Sequence, residues 1–270
     1  MKKVTIVKRA KPTDDIFEVF VWEDWFSERW LLKSVKVFYI WAKSKFIENL
    51  FYILLYSFLL PLLVYLILFR KIGRDKKVLT LVYYCVCIFI FLFLDEYNYV
   101  HVSEKIKYPV FTLLEYSFFA ALIFQQLRFR IFKLIVIILS VSFFLFQVIY
   151  FFADNDKKFD SIPIGIETIL IFIFIFFFLY EQLKEVKNQP IYSHYFFWVA
   201  IGLFIYLGGS FFIYILANSI SDEEINKYWF FTYIVEIIKN LLFATALLIY
   251  SNNPIKKNVK QPLPDLDFMS

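Results

Sequence analysis

The sequence predicts an all-α protein: a polytopic membrane helical bundle with seven transmembrane helices, preceded by an N-terminal amphipathic interfacial helix. Hydrophobic residues make up 61% of the 270 residues, and the mean hydropathy is +0.65. A soluble domain has about 45–50% apolar residues, so most of this surface must face something other than water. Seven apolar runs approach the ~20 residues that a helix needs to cross a bilayer. They do not alternate as the strands of a membrane barrel do.

The seven apolar runs define the predicted spans and divide the chain into three parts. Residues 1–46 mix tryptophans with regularly placed charges, which is typical of a helix that lies in the membrane interface. Residues 47–251 form the bundle, and residues 252–270, with three prolines and no periodicity, are predicted to be a disordered cytoplasmic tail. The spans lie at about Leu50–Phe69, Val78–Leu94, Pro109–Gln126, Leu134–Phe152, Ile162–Tyr180, Tyr195–Ala217 and Trp229–Tyr250.

Lys and Arg are distributed unevenly between the two sets of loops. Thirteen follow the first, third, fifth and seventh spans, and five lie in the opposite, acidic loops. The positive-inside rule therefore predicts a multi-pass protein of a bacterial inner membrane, with a cytoplasmic C-terminus and a periplasmic N-terminus. Ten basic residues within 1–45 oppose export of the N-terminus, so a cytoplasmic N-terminus remains the alternative.

Two partner surfaces are predicted besides the lipid bilayer itself. The basic loop after the first span is expected to contact anionic lipid head groups, and the segment 16–46 is a candidate surface for a partner protein. No nucleic-acid partner is predicted. The basic residues of that loop are Arg70, Lys71, Arg74, Lys76 and Lys77.

Three glutamates inside the spans are the main functional signal. Charged groups within a membrane are costly and usually functional. Glu115, Glu167 and Glu236 lie six, five and seven residues past the starts of three helices that run in the same direction. At 1.5 Å per residue, all three lie roughly 8–10 Å below the outer boundary. We expect them to face the interior and to form an acidic pocket that opens outward.

Other polar side chains fall near the same level. In the sixth span three of them recur every four residues and therefore share a face, and in the seventh span Glu236 is followed at i+3 and i+4 by Lys and Asn. The predicted ligand- or ion-binding set is Glu115, Glu167, Glu236, Lys239, Asn240, Tyr206, Ser210 and Tyr214. The alternative interpretation is structural: an internal Glu236–Lys239 ion pair, and a hydrogen bond between Glu115 and a neighbouring Tyr or Thr112.

No catalytic or metal-binding constellation is visible in the sequence. Cys85 and Cys87 are two residues apart on a helix, so they point to nearly opposite faces and are predicted to be packing residues. His101 and His194 lie outside the apolar runs, which argues against a zinc hydrolase of the membrane. No nucleophile–base pair appears either, so we predict no enzyme, no cofactor and no metal.

Two segments carry a resemblance to small multi-pass proteins common in Bacteroidetes. The segment 194–218 resembles their penultimate span, and 108–119 resembles their third span, with Glu115 as the acid. The resemblance covers about residues 50–250 and implies a layout similar to the seven-span sensor regions of some histidine kinases, without the kinase. The matching positions of the penultimate span are Phe197, Trp198, Gly202, Ile205, Tyr206, Gly209, Ser210 and Asn218.

Three functions follow as hypotheses. The leading one is a receptor- or sensor-type membrane protein without an output domain, whose acidic pocket takes a small ligand, an ion or a proton. The second is a proton- or ion-coupled transporter, although carriers favour sites at the midplane and broken helices. The third is a structural, assembly or defence-effector membrane subunit that acts through residues 16–46.

Overall fold

The structure, a computed structural model, is helical throughout the part that it describes. Helices account for 93% of the described residues, and no strand occurs among them. Seven helices are long and apolar enough to cross a membrane. The predicted all-α, seven-helix bundle is thereby confirmed, and the chain is a multi-pass integral membrane protein. The described residues are 45, 47, 49–97, 104–153, 161–184, 190–216 and 222–252.

The helices follow the predicted spans in order and number. A turn at Phe58 interrupts the first of them, ahead of its regular part Leu59–Ile72. A short 3₁₀ turn, Ile191–Ser193, precedes the sixth. The seven helices are α1 (Asn49–Ile72), α2 (Lys76–Glu96), α3 (Glu104–Phe124), α4 (Arg130–Ala153), α5 (Ser161–Lys184), α6 (Tyr195–Leu216) and α7 (Asp222–Asn252).

Several helix ends differ from the predicted boundaries, because helical hydrogen bonding continues into polar flanks where the hydropathy signal stops. Helix α3 begins at Glu104, ahead of Pro109, and helix α7 begins at Asp222. Clear stop and start signals do fix the α1–α2 turn. Gly73, with φ of 67°, ends α1, and the Asp75 carboxylate accepts the Lys77 N–H at 2.8 Å and caps α2.

Six of the helices close a ring, and the remaining helix, α4, packs outside it. The main contacts run from α7 to α1, α2, α3, α5, α6 and back to α7, while the main contacts of α4 are with α3 and α5. In its most apolar stretch, 17% of the residues of α4 are buried, against 50% for α7. Helix α4 is therefore peripheral, and the interior of the ring belongs to the other six helices.

The two ends of the bundle differ in charge. The acidic end, where α2 finishes and α3 starts, carries Asp95 and Glu96, whereas the basic end carries the α1–α2 turn and Arg128. Helices α1, α3, α5 and α7 run from the acidic end to the basic end. Large apolar side chains such as Ile67 are exposed along the helices, as expected for surfaces that face lipid.

A buried carboxylate that the sequence did not single out holds the start of α4. Glu181, near the end of α5, accepts the backbone N–H of Arg128 at 2.7 Å and that of Phe129 at 2.8 Å. These two N–H groups precede the first turn of α4, where backbone donors otherwise lack partners. A charged oxygen at a helix N-terminus also complements the helix dipole, so Glu181 acts as a cap supplied by another helix.

Two predicted segments lie outside the described residues, apart from Lys45 and Asn252. They are the N-terminal interfacial segment 1–46, including the candidate partner surface 16–46, and the C-terminal tail 252–270.

Candidate functional site

A cavity of about 210 Å³ lies inside the ring of helices, near the acidic end. Its lining comes from all six ring helices and reaches Asp95 and Lys107, which form an ion pair and are both partly exposed. Glu115 lies eight residues beyond Lys107 on α3, so the cavity extends roughly 12 Å along that helix. The cavity therefore opens toward the acidic end of the bundle.

Six of the eight predicted site residues line the cavity. Among the five charged residues of the lining, three are the glutamates of α3, α5 and α7, and all three are buried. Acidic side chains from three separate helices therefore border one space. The six lining residues are Glu115, Glu167, Glu236, Tyr206, Ser210 and Tyr214.

Lys239 lies next to the cavity lining, completely buried, and joins two of the three acids. Its Nζ donates to Glu236 Oε1 at 3.2 Å and lies 3.8 Å from Glu115 Oε1. It also donates to the hydroxyl oxygen of Tyr84 at 2.6 Å. The ammonium lies 4.0 Å from the centroid of the Tyr206 ring, a cation–π geometry. The predicted Glu236–Lys239 contact therefore exists, as part of a larger cluster.

Two tyrosine hydroxyls hold the carboxylate of Glu115. Tyr84 donates to Oε1 at 2.9 Å, and Tyr206 donates to Oε2 at 3.0 Å. Thr112 is not a partner of this carboxylate, because its hydroxyl donates to the Tyr108 carbonyl at 3.0 Å. Tyr84, from α2, was missed by sequence reasoning, since nothing marks it among the 19 tyrosines of the chain.

Glu167 differs from the other two acids in having an unsatisfied oxygen. The residue is 2% exposed, and its Oε1 has no hydrogen-bond partner among the described residues. A buried polar atom without a partner is unfavourable by about 1–3 kcal/mol. Glu167 also lines the cavity, so the side chain that carries this unsatisfied oxygen borders that space.

The remaining predicted residues have other partners. The Ser210 hydroxyl donates to the Tyr206 carbonyl at 2.7 Å, a bond within α6. The Tyr214 ring packs edge-on against Trp229, with 5.7 Å between the ring centroids. Asn240 lies outside the cavity lining and donates to the Ser57 hydroxyl of α1 at 2.7 Å. It shares a helix face with Glu236 but points toward a different neighbour.

The site as a whole has an excess of carboxyl groups. Glu115 and Glu236 share the ammonium of Lys239, whereas Glu167 has no ionic partner among the ion pairs of the described residues. No three His, Cys, Asp or Glu side chains of the described part lie close enough together to hold a metal ion. The acids therefore surround a space instead of converging on one point. Such a site can take up protons or a cation, which would balance its charge.

Tyr84 is expected to contribute more to this cluster than Tyr206 does. Tyr84→Phe removes a hydroxyl that serves both Glu115 and Lys239, so we expect a loss of about 1–3 kcal/mol in the free energy of unfolding. Tyr206→Phe, the matched control, removes a hydroxyl that bonds to Glu115 and Tyr214 but not to the Lys239 ammonium, and should cost less. Denaturant unfolding of the purified protein in detergent measures both losses. Equal losses would contradict the bridging role of Tyr84.

No known family model matches the chain, and no curated protein or solved structure matches it significantly.

Proposed function

We propose that this membrane protein is of the receptor or sensor type, with an internal acidic pocket that takes a small ligand, an ion or a proton from the outer side of a bacterial inner membrane. One observation supports this most: Glu115, Glu167 and Glu236 come from three helices and line the same cavity. The resemblance of the sixth span to that of small multi-pass proteins of Bacteroidetes, whose layout is similar to seven-span sensor regions, points the same way.

Charge explains how such a site could report on its occupancy. Three buried carboxyl groups line the cavity beside a single buried ammonium, which pairs with two of them, so the cluster carries an excess negative charge unless protons or a cation balance it. Binding of protons or a cation would therefore favour packings of the six ring helices that bring the acids closer together. A ligand shifts a conformational equilibrium only through such a difference in binding free energy between two states.

The residues below the cluster favour a sensor over a carrier. Phe58, Phe119 and Phe243 are fully buried, and all three surround the Tyr84 ring, with centroids 5.0–6.4 Å away. Phe119 and Phe243 lie one helical turn closer to the basic end than Glu115 and Lys239 do. This apolar layer would seal the site from the basic end, whereas a carrier must open its site to both sides.

The basic end fits a cytoplasmic surface against anionic lipid. Arg70, Lys71, Arg74 and Lys76 are exposed around the α1–α2 turn, and Lys77 is partly buried. A cluster of this kind next to a span attracts anionic head groups by about 1 kcal/mol for each basic residue. With the basic end in the cytoplasm, as the positive-inside rule favours, the cavity mouth would lie on the outer side.

A cation and pH panel tests the proposed pocket. We expect protons or at least one of sodium, ammonium and short alkylammonium ions, at constant ionic strength, to raise the melting temperature of the purified protein. The triple variant Glu115→Gln/Glu167→Gln/Glu236→Gln should lose this response. Glu181→Gln, which changes a buried acid outside the cavity, should keep it. A response that survives in the triple variant, or no response in wild type, would contradict the pocket.

Reconstituted vesicles distinguish the sensor from the transporter. We expect no proton or cation flux above that of protein-free vesicles, because the aromatic layer closes the route to the basic end. Flux that the triple glutamine variant abolishes would instead establish the transporter.

A further inference from the structure

We propose that the ligand of this pocket is a small organic ammonium ion, whose N–H groups bind Glu167 and whose alkyl body packs against aromatic side chains. The inference rests on the proposed function and names the chemical class of its ligand.

The chain already holds one ammonium in this way. Lys239 Nζ combines hydrogen bonds to Glu236 and Tyr84 with four aromatic faces, at 4.0–5.8 Å from the ring centroids. A carboxylate together with ring faces is the environment that an alkylammonium requires once it leaves water. Lys239 therefore acts as a tethered ammonium that Glu115 and Glu236 share, and it forms no ion pair with Glu167.

Glu167 is the acid left for a second ammonium. It is 2% exposed and lines the cavity, and its Oε1 lacks a hydrogen-bond partner among the described residues. Neither Lys239 nor another described cation forms an ion pair with it. A donor that enters the cavity would satisfy this oxygen, and a donor with positive charge would also balance the carboxylate. Charge-assisted bonds of this kind are about twice as strong as neutral ones.

The walls of the cavity suit a short alkyl group. Six aromatic side chains from α1, α2, α3, α6 and α7 line it, besides Tyr108 and Tyr206. Its volume of about 210 Å³ lies below the ~300–1,000 Å³ of pockets for drug-sized ligands, so the ligand must be small. These six side chains are Phe51, Phe91, Phe111, Tyr214, Trp229 and Tyr233.

An inorganic cation fits this arrangement less well. Hard metal ions bind several oxygen atoms around one point, for example about six to eight for Ca²⁺. The described residues offer no group of three or more acidic, His or Cys side chains at such a spacing. An ammonium needs only one carboxylate and apolar walls, and the cavity offers Glu167 together with aromatic side chains.

Calorimetric titration with n-butylammonium chloride tests the inference, with n-butanol and sodium chloride as the neutral and inorganic comparisons. We expect wild type to bind n-butylammonium and to show no comparable heat with either comparison. Glu167→Gln should weaken binding by about tenfold or more, because a charge-assisted bond contributes at least ~1.5 kcal/mol. Glu181→Gln should bind like wild type. Tetramethylammonium, which has no N–H group, should bind more weakly than n-butylammonium.

The outcomes separate this inference from the proposed function. Equal binding of n-butanol, or unchanged affinity in Glu167→Gln, would overturn the ammonium site. If Glu167→Gln does not fold, Trp229→Leu replaces it as the variant that must weaken binding. A response to sodium or protons alone that requires the three acids would overturn the organic ammonium and leave the proposed function standing. No response to any of these would overturn both.

Discussion

Lys239→Met is expected to destabilise the bundle by about 3–5 kcal/mol, the largest effect of any single substitution at the site. Lys239 is completely buried and is the ion-pair partner of both Glu115 and Glu236. Methionine fills a similar volume, so packing is largely kept and the loss comes from the charge. Removal of one member of a buried ion pair leaves an uncompensated charge, which is far more costly than the absence of the whole pair.

A second substitution checks that charge is the cause. Lys239→Met/Glu236→Gln removes one carboxylate together with the ammonium and should recover part of the lost stability. Lys107→Met is the matched control, because Lys107 also pairs with an acid, Asp95, but both partners are partly exposed. An exposed pair contributes about 0–1 kcal/mol. Equal losses for Lys239→Met and Lys107→Met in denaturant unfolding would contradict the account of the cluster.

Gly209→Ala is expected to be less stable than Gly208→Ala by about 1–3 kcal/mol, because it overpacks the contact between α6 and α7. A Cβ atom at Gly209 would lie 2.7 Å from Cγ1 of Val235. Val235 is buried, and a β-branched side chain in a helix has little freedom to move aside. A Cβ atom at Gly208 would meet only Phe172 Cζ, at an ordinary contact distance of 3.5 Å.

The two neighbouring glycines make this comparison well matched. Both lie in the middle of α6, so the gain in helix propensity from Gly to Ala, about 1 kcal/mol, applies equally to each. The difference between the two variants then reports the contact with α7. Val235→Ala should reduce the cost of Gly209→Ala when the two are combined. Thermal unfolding measures wild type, the three single variants and the double variant, and equal stability of Gly208→Ala and Gly209→Ala would show that α6 and α7 are not so closely packed.

The spans and the three acids were predictable because both depend on residue counts along single helices. Apolar length determines a span, and the distance from the start of a span determines depth. Glu115, Glu167 and Glu236 have a similar predicted depth, and all three line one cavity. The sequence of each helix also placed Tyr206 and Ser210 on one face, and both side chains line that cavity.

The partners of these residues were less predictable, because they depend on how the helices rotate against one another. Asn240 follows Lys239 directly, yet the rotation of α7 turns it toward Ser57 of α1 and away from the cavity. Tyr84 and Glu181 carried no signal at all. Neither residue type is unusual in its helix. Tyr84 matters because it bonds to Glu115 of α3, and Glu181 because it accepts a backbone N–H just before α4.

Thiol labelling from each side of the membrane tests the central claim most directly: buried acids lie on a cavity that is reached from the acidic end. In a background with Cys85→Ala and Cys87→Ala, a membrane-impermeant thiol reagent should modify Ser210→Cys from the side of the acidic loops. Thr168→Cys is the control, because Thr168 is equally buried but lies outside the cavity lining. We predict modification of Ser210→Cys and not of Thr168→Cys. Modification of neither, or of Ser210→Cys only from the basic end, would contradict the account.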